Sequence, residues 1–289
     1  APPELYYYLA KSSHIHGKID TAYTQYSYFL DNVKKKHEKY DLGVLGLAQC
    51  KVAKNLMANP ENYIIRNIGS VVNTEFPEYS PVITIDGSAL FFTSKRLRKD
   101  STNSKYININ NGQYYEDIYV SYRDINGKWS KPIYLGFCDP RNNNAIISTS
   151  PDGQTAFVYS SINGGDIYYS TVQDTAFGGL VPFPAEELNT DAWETHATIS
   201  PDGNYLYFVS DRPGGMGGRD IWRIKILPDG TWSKAFNLGA PINTPYDEDA
   251  PFLGADSKTM YFSSNGPKSM GGFDIFVSQM DESEQWSEP

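Results

Sequence analysis

Four aspartates recur in register along this chain, each followed by isoleucine and then an aromatic residue: Asp117-Ile118-Tyr119, Asp166-Ile167-Tyr168, Asp220-Ile221-Trp222 and Asp274-Ile275-Phe276. Carboxylates gathered in this way invite acid–base chemistry, since cleavage of a glycosidic bond uses paired Asp or Glu. Their register argues against it. A catalytic pair belongs to one or two units, whereas these recur in every unit. They are therefore assigned to holding turns or capping backbone N–H groups. The same logic gives Asp86, Asp152, Asp202 and Asp256 to hairpin turns.

The remaining chemistry is sparse. The glycine-rich run Asp211 to Arg219 lacks the Gly-Lys-Ser/Thr of a phosphate loop and does not open a helix. His14, His16, His37 and His196 do not cluster, so no zinc site is expected. Asp247-Glu248-Asp249 lacks calcium-loop spacing and reads as a solvated charge run. No Gly-x-Ser-x-Gly elbow occurs. Cys50 and Cys138 sit in no motif that would activate a thiolate, and a disulfide between them is left open. No cofactor, metal or catalytic residue is expected. His196, beside Glu194, is read first as a packing or surface residue, with the lining of a central channel as the alternative.

The elements that must position these residues are repeated. Each unit has a turn (Ile85-Asp86-Gly87, Pro151-Asp152-Gly153, Pro201-Asp202-Gly203, Ala255-Asp256-Ser257) followed by an apolar, aromatic strand such as Leu206-Tyr207-Phe208-Val209. Asp-Gly between two such runs is a hairpin signal. A glycine-rich loop, the Asp-Ile-aromatic strand and a Trp-Ser strand (Trp129, Trp232, Trp286) follow, and the second unit is degenerate at the last of these. Four short strands per repeat of ~50 residues is the signature of a propeller blade. The fold class is mainly β, a β-propeller over residues 61–289 with four repeats visible.

Residues 1–60 instead carry helical periodicity. Ile19, Ala22, Tyr23, Tyr26, Phe29 and Leu30 fall on one face, and His16-Gly17-Lys18 breaks the first helix from the second. Asp20 is expected to cap the second helix, and a third runs from about Leu42 to Met57, before Asn59-Pro60. Ala10, Ala22 and Tyr26 stand where tetratricopeptide repeats pack helix on helix. One such repeat cannot bury its own face, so it must dock on the propeller or end a longer array.

Net charge is −9, with 34 acidic against 25 basic residues, which argues against nucleic acid as a partner. Lys34-Lys35-Lys36 reads as a solvated helix end. No run approaches the ~20 apolar residues of a membrane span. The first unit carries an insertion at about Leu97–Tyr115, with Tyr106, Tyr114 and Tyr115 suited to an interface. Together with Arg212 and His196, these are the residues expected to meet a partner.

The order Ser-Pro-Asp-Gly, Leu-Tyr-Phe, Gly-Gly, Asp-Ile-Trp resembles the Pro-Asp class of WD40-like repeats found in TolB-type propellers. The whole arrangement, with helices, then Asn67-Ile68-Gly69 to Val72-Asn73-Thr74, then Glu78-Tyr79-Ser80-Pro81 and the blades, resembles a family of Bacteroidetes cell-envelope proteins. Members join tetratricopeptide repeats, a propeller and an OmpA-like peptidoglycan-binding domain, and are linked to type IX secretion and gliding, often beside a porin-like outer-membrane barrel. The resemblance implies a periplasmic, outer-membrane-associated scaffold that binds protein partners through its loop face and is not an enzyme. The alternative is a propeller that binds or hydrolyses glycans. The OmpA-like part is absent, so peptidoglycan contact would belong to a missing C-terminal domain. The intact ring is expected to hold five or six blades.

Overall fold

A computed structural model of the chain describes residues 2–60, 64–150, 152–162, 165–173 and 176–289; among these lie three helices and four separate β-sheets. Helices α1 (Pro3–Ile15), α2 (Ile19–Asn32) and α3 (Tyr40–Ala58) form the front end. Gly17, at φ +69°, makes the turn between the first two. Ala10 and Ala22 are fully buried, with Tyr7, Tyr26, Phe29 and Cys50 around them. Gly46 lets α3 approach α2: a Cβ there would stand 2.4 Å from the Tyr26 ring. The expected Asp20 cap is corrected. The chain enters the helix directly after Gly17, with Lys18 at the cap position and no side-chain cap bond. Asp20 lies inside the first turn and pairs with Lys54 at 2.5 Å. The boundary expected at 60/61 adjoins residues 61–63, outside the described residues. No helix among the described residues is long and apolar enough to cross a membrane.

Each sheet is an antiparallel blade. Blade 1 is β1 (Glu78–Ile83), β2 (Ala89–Ser94), β3 (Asp117–Tyr122) and β4 (Ile133–Tyr134). Blade 2 is β5 (Asn144–Thr149), β6 (Thr155–Ser160) and β7 (Asp166–Gln173), with two short strands, β8 (Ala176–Phe177) and β9 (Val181–Pro182), both paired to β7. Blade 3 is β10 (Glu194–Ile199), β11 (Tyr205–Ser210), β12 (Asp220–Lys225) and β13 (Phe236–Asn237). Blade 4 is β14 (Glu248–Leu253), β15 (Thr259–Ser264) and β16 (Asp274–Gln279). Its Trp286 pairs with Met280 as a single bridge, as Trp129 and Trp232 do with Arg123 and Ile226.

The turns follow from their sequences. Asp86, Asp152 and Asp202 each accept a hydroxyl hydrogen bond from the residue two before, at 2.6, 2.5 and 2.5 Å, and an N–H from the residue two after. Gly203 takes φ +74° at its tip, and Ser257 takes φ +56° at the same place in blade 4. Pro151 of the second turn lies outside the described residues.

The period of two decides which side chains meet the neighbouring blades. On β11, Leu206 and Phe208 pack on Phe157 and Ile167 of blade 2, while Tyr207 and Val209 pack on Leu253, Met260 and Phe262 of blade 4. The corresponding outward residues of blade 4 are open to solvent: Tyr261 is 44% and Ile275 81% exposed, against 0% for Tyr207 and Ile221.

A polar clamp recurs at the loop end. Glu78, Glu194 and Glu248 each take hydrogen bonds from a threonine four residues earlier and from a serine on the second strand. Blades 1 and 3 add an arginine, Arg96 or Arg212, 2.9 Å from the glutamate. At Glu78 the upward push of burial is outweighed by the Thr74 bonds and the Arg96 charge, and its carboxyl is held low. At Glu248, where blade 4 carries no such arginine, burial wins and pushes the carboxyl up.

Candidate functional site at the channel and loop face

The inner strands β1, β5, β10 and β14 together wall a central cavity of about 630 Å³. Blade symmetry is broken on this wall by one pair. His196 is the third residue of β10, where the other inner strands have Ser80, Ile146 and Ala250. Asp249 is the second residue of β14, where the others have Tyr79, Ala145 and Thr195. Both strands carry a bulge at this level, between Glu194 and Ala197 and between Asp249 and Phe252. The other two inner strands are bulged near the same level, so the pair differs from its counterparts in residue type.

His196 Nδ1 stands 2.7 Å from Asp249 Oδ1. The other carboxylate oxygen of Asp249 takes a hydrogen bond from Arg219, and Oδ1 also accepts from Ala250 N at 2.8 Å and Thr195 Oγ1 at 3.3 Å. Burial pushes the Asp249 carboxyl up, but the adjoining His196 ring, the Arg219 charge and the Ala250 N–H outweigh it, so the group is held low and ionised. Arg219 lies between two aromatic rings, 5.5 Å from the centroids of both Trp193 and Phe273. Those rings remain 47% and 46% exposed at the loop end. The expectation of a solvated run at residues 247–249 is thereby corrected, since Glu248 and Asp249 are buried in the clamp and the pair. Asp249, Arg219 and Trp193 were missed because each looks ordinary in its own segment. Asymmetry between blades was the signal available.

The other expected partner residues separate. The insertion is rooted by Arg98, whose guanidinium meets Asp117 at 2.8 and 2.5 Å and Cys138 O at 3.0 Å. Asn103 secures it further, accepting from Arg98 N and donating to Arg96 O. Beyond that root the loop folds back through an Ile107–Tyr114 bridge. Tyr106 is exposed with Leu97, Ile107 and Ile109, whereas Tyr115 is half-buried and Tyr114 packs 6.0 Å from Phe76. Arg212 is turned inward. It donates to Glu187 O, Leu188 O and Glu194, and covers the rings of Phe208 and Trp222 at 4.6 and 5.4 Å.

The repeated aspartates take two forms. Asp220 and Asp274 each accept the N–H of a loop methionine, Met216 or Met270, four residues earlier. Asp117 takes Arg98 instead, because the insertion replaces that loop. Asp166 begins β7 at the same register, opposite Ser160.

The helices dock on blade 4 at this loop end. Gln49 Nε2 donates to Asn265 O, Gly266 O and Ser269 Oγ, and His14 Nε2 meets Met270 O at 2.7 Å. Cys50 and Cys138 are both free and buried. Burial pushes the Cys50 thiol up to about 11. No group of three metal-ligating residues is found among the described residues.

No protein-family model and no curated protein matches the chain. Among solved structures, it is similar to one described as a putative TolB from Agrobacterium tumefaciens, at 18% identity and TM-score 0.41, covering 75% of this chain and 82% of that one. It is also similar to the Pseudomonas aeruginosa periplasmic gluconolactonase, at 16% and TM-score 0.39, covering 71% of this chain and 54% of that one. A third is prolyl oligopeptidase B from Galerina marginata, at 12% and TM-score 0.41, covering 72% of this chain and 25% of that one. Such identities speak to the propeller alone. They also overturn the expectation that this chain is not an enzyme: gluconolactonase, puromycin hydrolase and prolyl oligopeptidase chains share the likeness, so the propeller is no ground for excluding catalysis.

Proposed function

We propose that this protein is a scaffold of the bacterial cell envelope that binds a protein partner through the loop end of its propeller. The observation that carries this reading is the first-blade insertion. Its root is buried and hydrogen-bonded, while Leu97 beside the root and Tyr106, Ile107 and Ile109 beyond it are open to solvent, with Ile109 93% exposed. Ordering a loop by a buried ion pair while leaving large apolar side chains outside is costly unless something covers them. The periplasmic, outer-membrane-associated location, the porin-like barrel as partner and the tie to type IX secretion rest on the sequence resemblance.

The test is capture from outer-membrane extract with wild type and with the triple variant Tyr106→Ala, Ile107→Ser, Ile109→Ser. This variant spares Arg98, Asn103 and Asp117. One envelope protein recovered by wild type and depleted at least about tenfold by the variant is the expected result, a loss of ~1.4 kcal/mol. Equal recovery by both proteins refutes the site.

A further inference from the structure

The central cavity has a chemistry of its own, separate from the loop-face reading. Its walls are apolar: Ile83, Ile85 and Phe252 are 50%, 63% and 54% exposed along it. Among the described residues, the polar side chains on the walls are six Ser and Thr hydroxyls and the His196 ring, and no Lys, Arg, Asp or Glu lines the cavity. Its volume, about 630 Å³, is that of a small-molecule site.

The ring nitrogens of His196 have different fates. Nδ1 is shut off from solvent and faces the Asp249 carboxylate. An ionised carboxylate only accepts, so the neutral tautomer that suits this 2.7 Å approach carries its hydrogen on Nδ1. In the neutral ring Nε2 then holds a lone pair; it has no hydrogen-bond partner among the described residues, and the side chain remains 31% exposed. Asp249 is itself fixed by Arg219, Thr195 and Ala250, so the ring cannot easily turn over. A fixed ring acceptor among apolar side chains and rotatable hydroxyls, with no charged side chain among the described lining residues, is a selective arrangement. A charged group entering it would lose water without gaining a counter-charge, and a purely apolar group would leave Nε2 unpaired.

We infer that the channel binds an uncharged, largely apolar ligand that donates one hydroxyl hydrogen bond to His196 Nε2. This site lies on the inner strands, not on the insertion, so it stands or falls independently of the scaffold reading.

Three probes of one shape test it on the whole chain: 4-tert-butylphenol, its methyl ether 4-tert-butylanisole, and 4-tert-butylbenzoate. Affinities come from titration followed by ligand-observed NMR. The phenol is expected to bind about tenfold more tightly than the ether, as one hydrogen bond to a confined acceptor would give, and the benzoate most weakly. His196→Phe should bring phenol and ether together while leaving the ether's affinity within about twofold. A second readout needs no variant: the phenol, and not the ether, should shift the His196 Nε2 resonance of the wild-type protein. Equal binding of phenol and ether, tighter binding of the benzoate, or no saturable binding of any probe would each overturn the inference.

Discussion

Removing the guanidinium of Arg98 should unfold the first blade more readily than any surface change, and the loss should depend on pH in a defined direction. Arg98 and Asp117 are 6% and 2% exposed at the side chain, and two of the three donors at 3.0 Å or closer go to the carboxylate. Arg98 also lies 4.2 Å over the Tyr134 ring. Arg98→Met keeps the stem and the ring contact but strands a carboxylate in the blade interior. Breaking one side of such a pair costs about 3–5 kcal/mol. The sign with pH follows from Asp117. Burial already raises its carboxyl above the ordinary range despite Arg98. A raised folded-state value means that its contribution to stability is fully present below the unfolded value and is lost as pH rises through the folded one. Without Arg98 the carboxyl rises further, so the variant's deficit is greatest near neutrality and shrinks on acidification. Urea unfolding at pH 7 and pH 4.5 should show this, each variant being compared with wild type at the same pH. The double variant Arg98→Met, Asp117→Asn should recover about half or more of the loss, because the stranded charge is gone. A deficit below about 1 kcal/mol, or one that stays constant between the two pH values, would refute the reasoning.

Two further outcomes are expected. Gly271→Ala places a Cβ 2.5 Å from His14 Nε2 at a backbone φ of +146°, so it should loosen the helices from blade 4 at a cost of about 1–3 kcal/mol. Faster amide exchange across α1 with unchanged exchange in blade 2 is the pattern to look for; unchanged exchange in α1 would count against the docking. Neither Cys50 nor Cys138 should react with a thiol reagent at pH 8 in the folded protein, since both are buried and burial raises both thiols, and both should react in urea without reductant. Failure to titrate two thiols after unfolding would mean that they pair.

The repeated units were legible because a blade is written locally. Ser200-Pro201-Asp202-Gly203 and the strands on either side contain their own turn, pairing and alternation, and tandem recurrence makes the assignment secure. The two alanines and Tyr26 of the helix pair were legible for the same reason. Asp20 was not, because a cap depends on where the preceding turn releases the chain, and Gly17 releases it before Asp20 is reached. Arg212 looked available because glycine-rich loops are exposed on average; its position two residues after Ser210 instead folds it back over Phe208 and Trp222.

Sequence by itself determined the propeller class, the four units and the helical front end, because each depends on neighbours within about a dozen residues. Tertiary structure alone decided that the helices seat on blade 4, that Arg98 answers Asp117, and that His196 of one blade meets Asp249 of the next. Those partners are 19 to 256 residues apart. A carboxylate's role is set by the charge and burial that reach it through space, and the order of residues along the chain fixes neither until the blades are packed side by side.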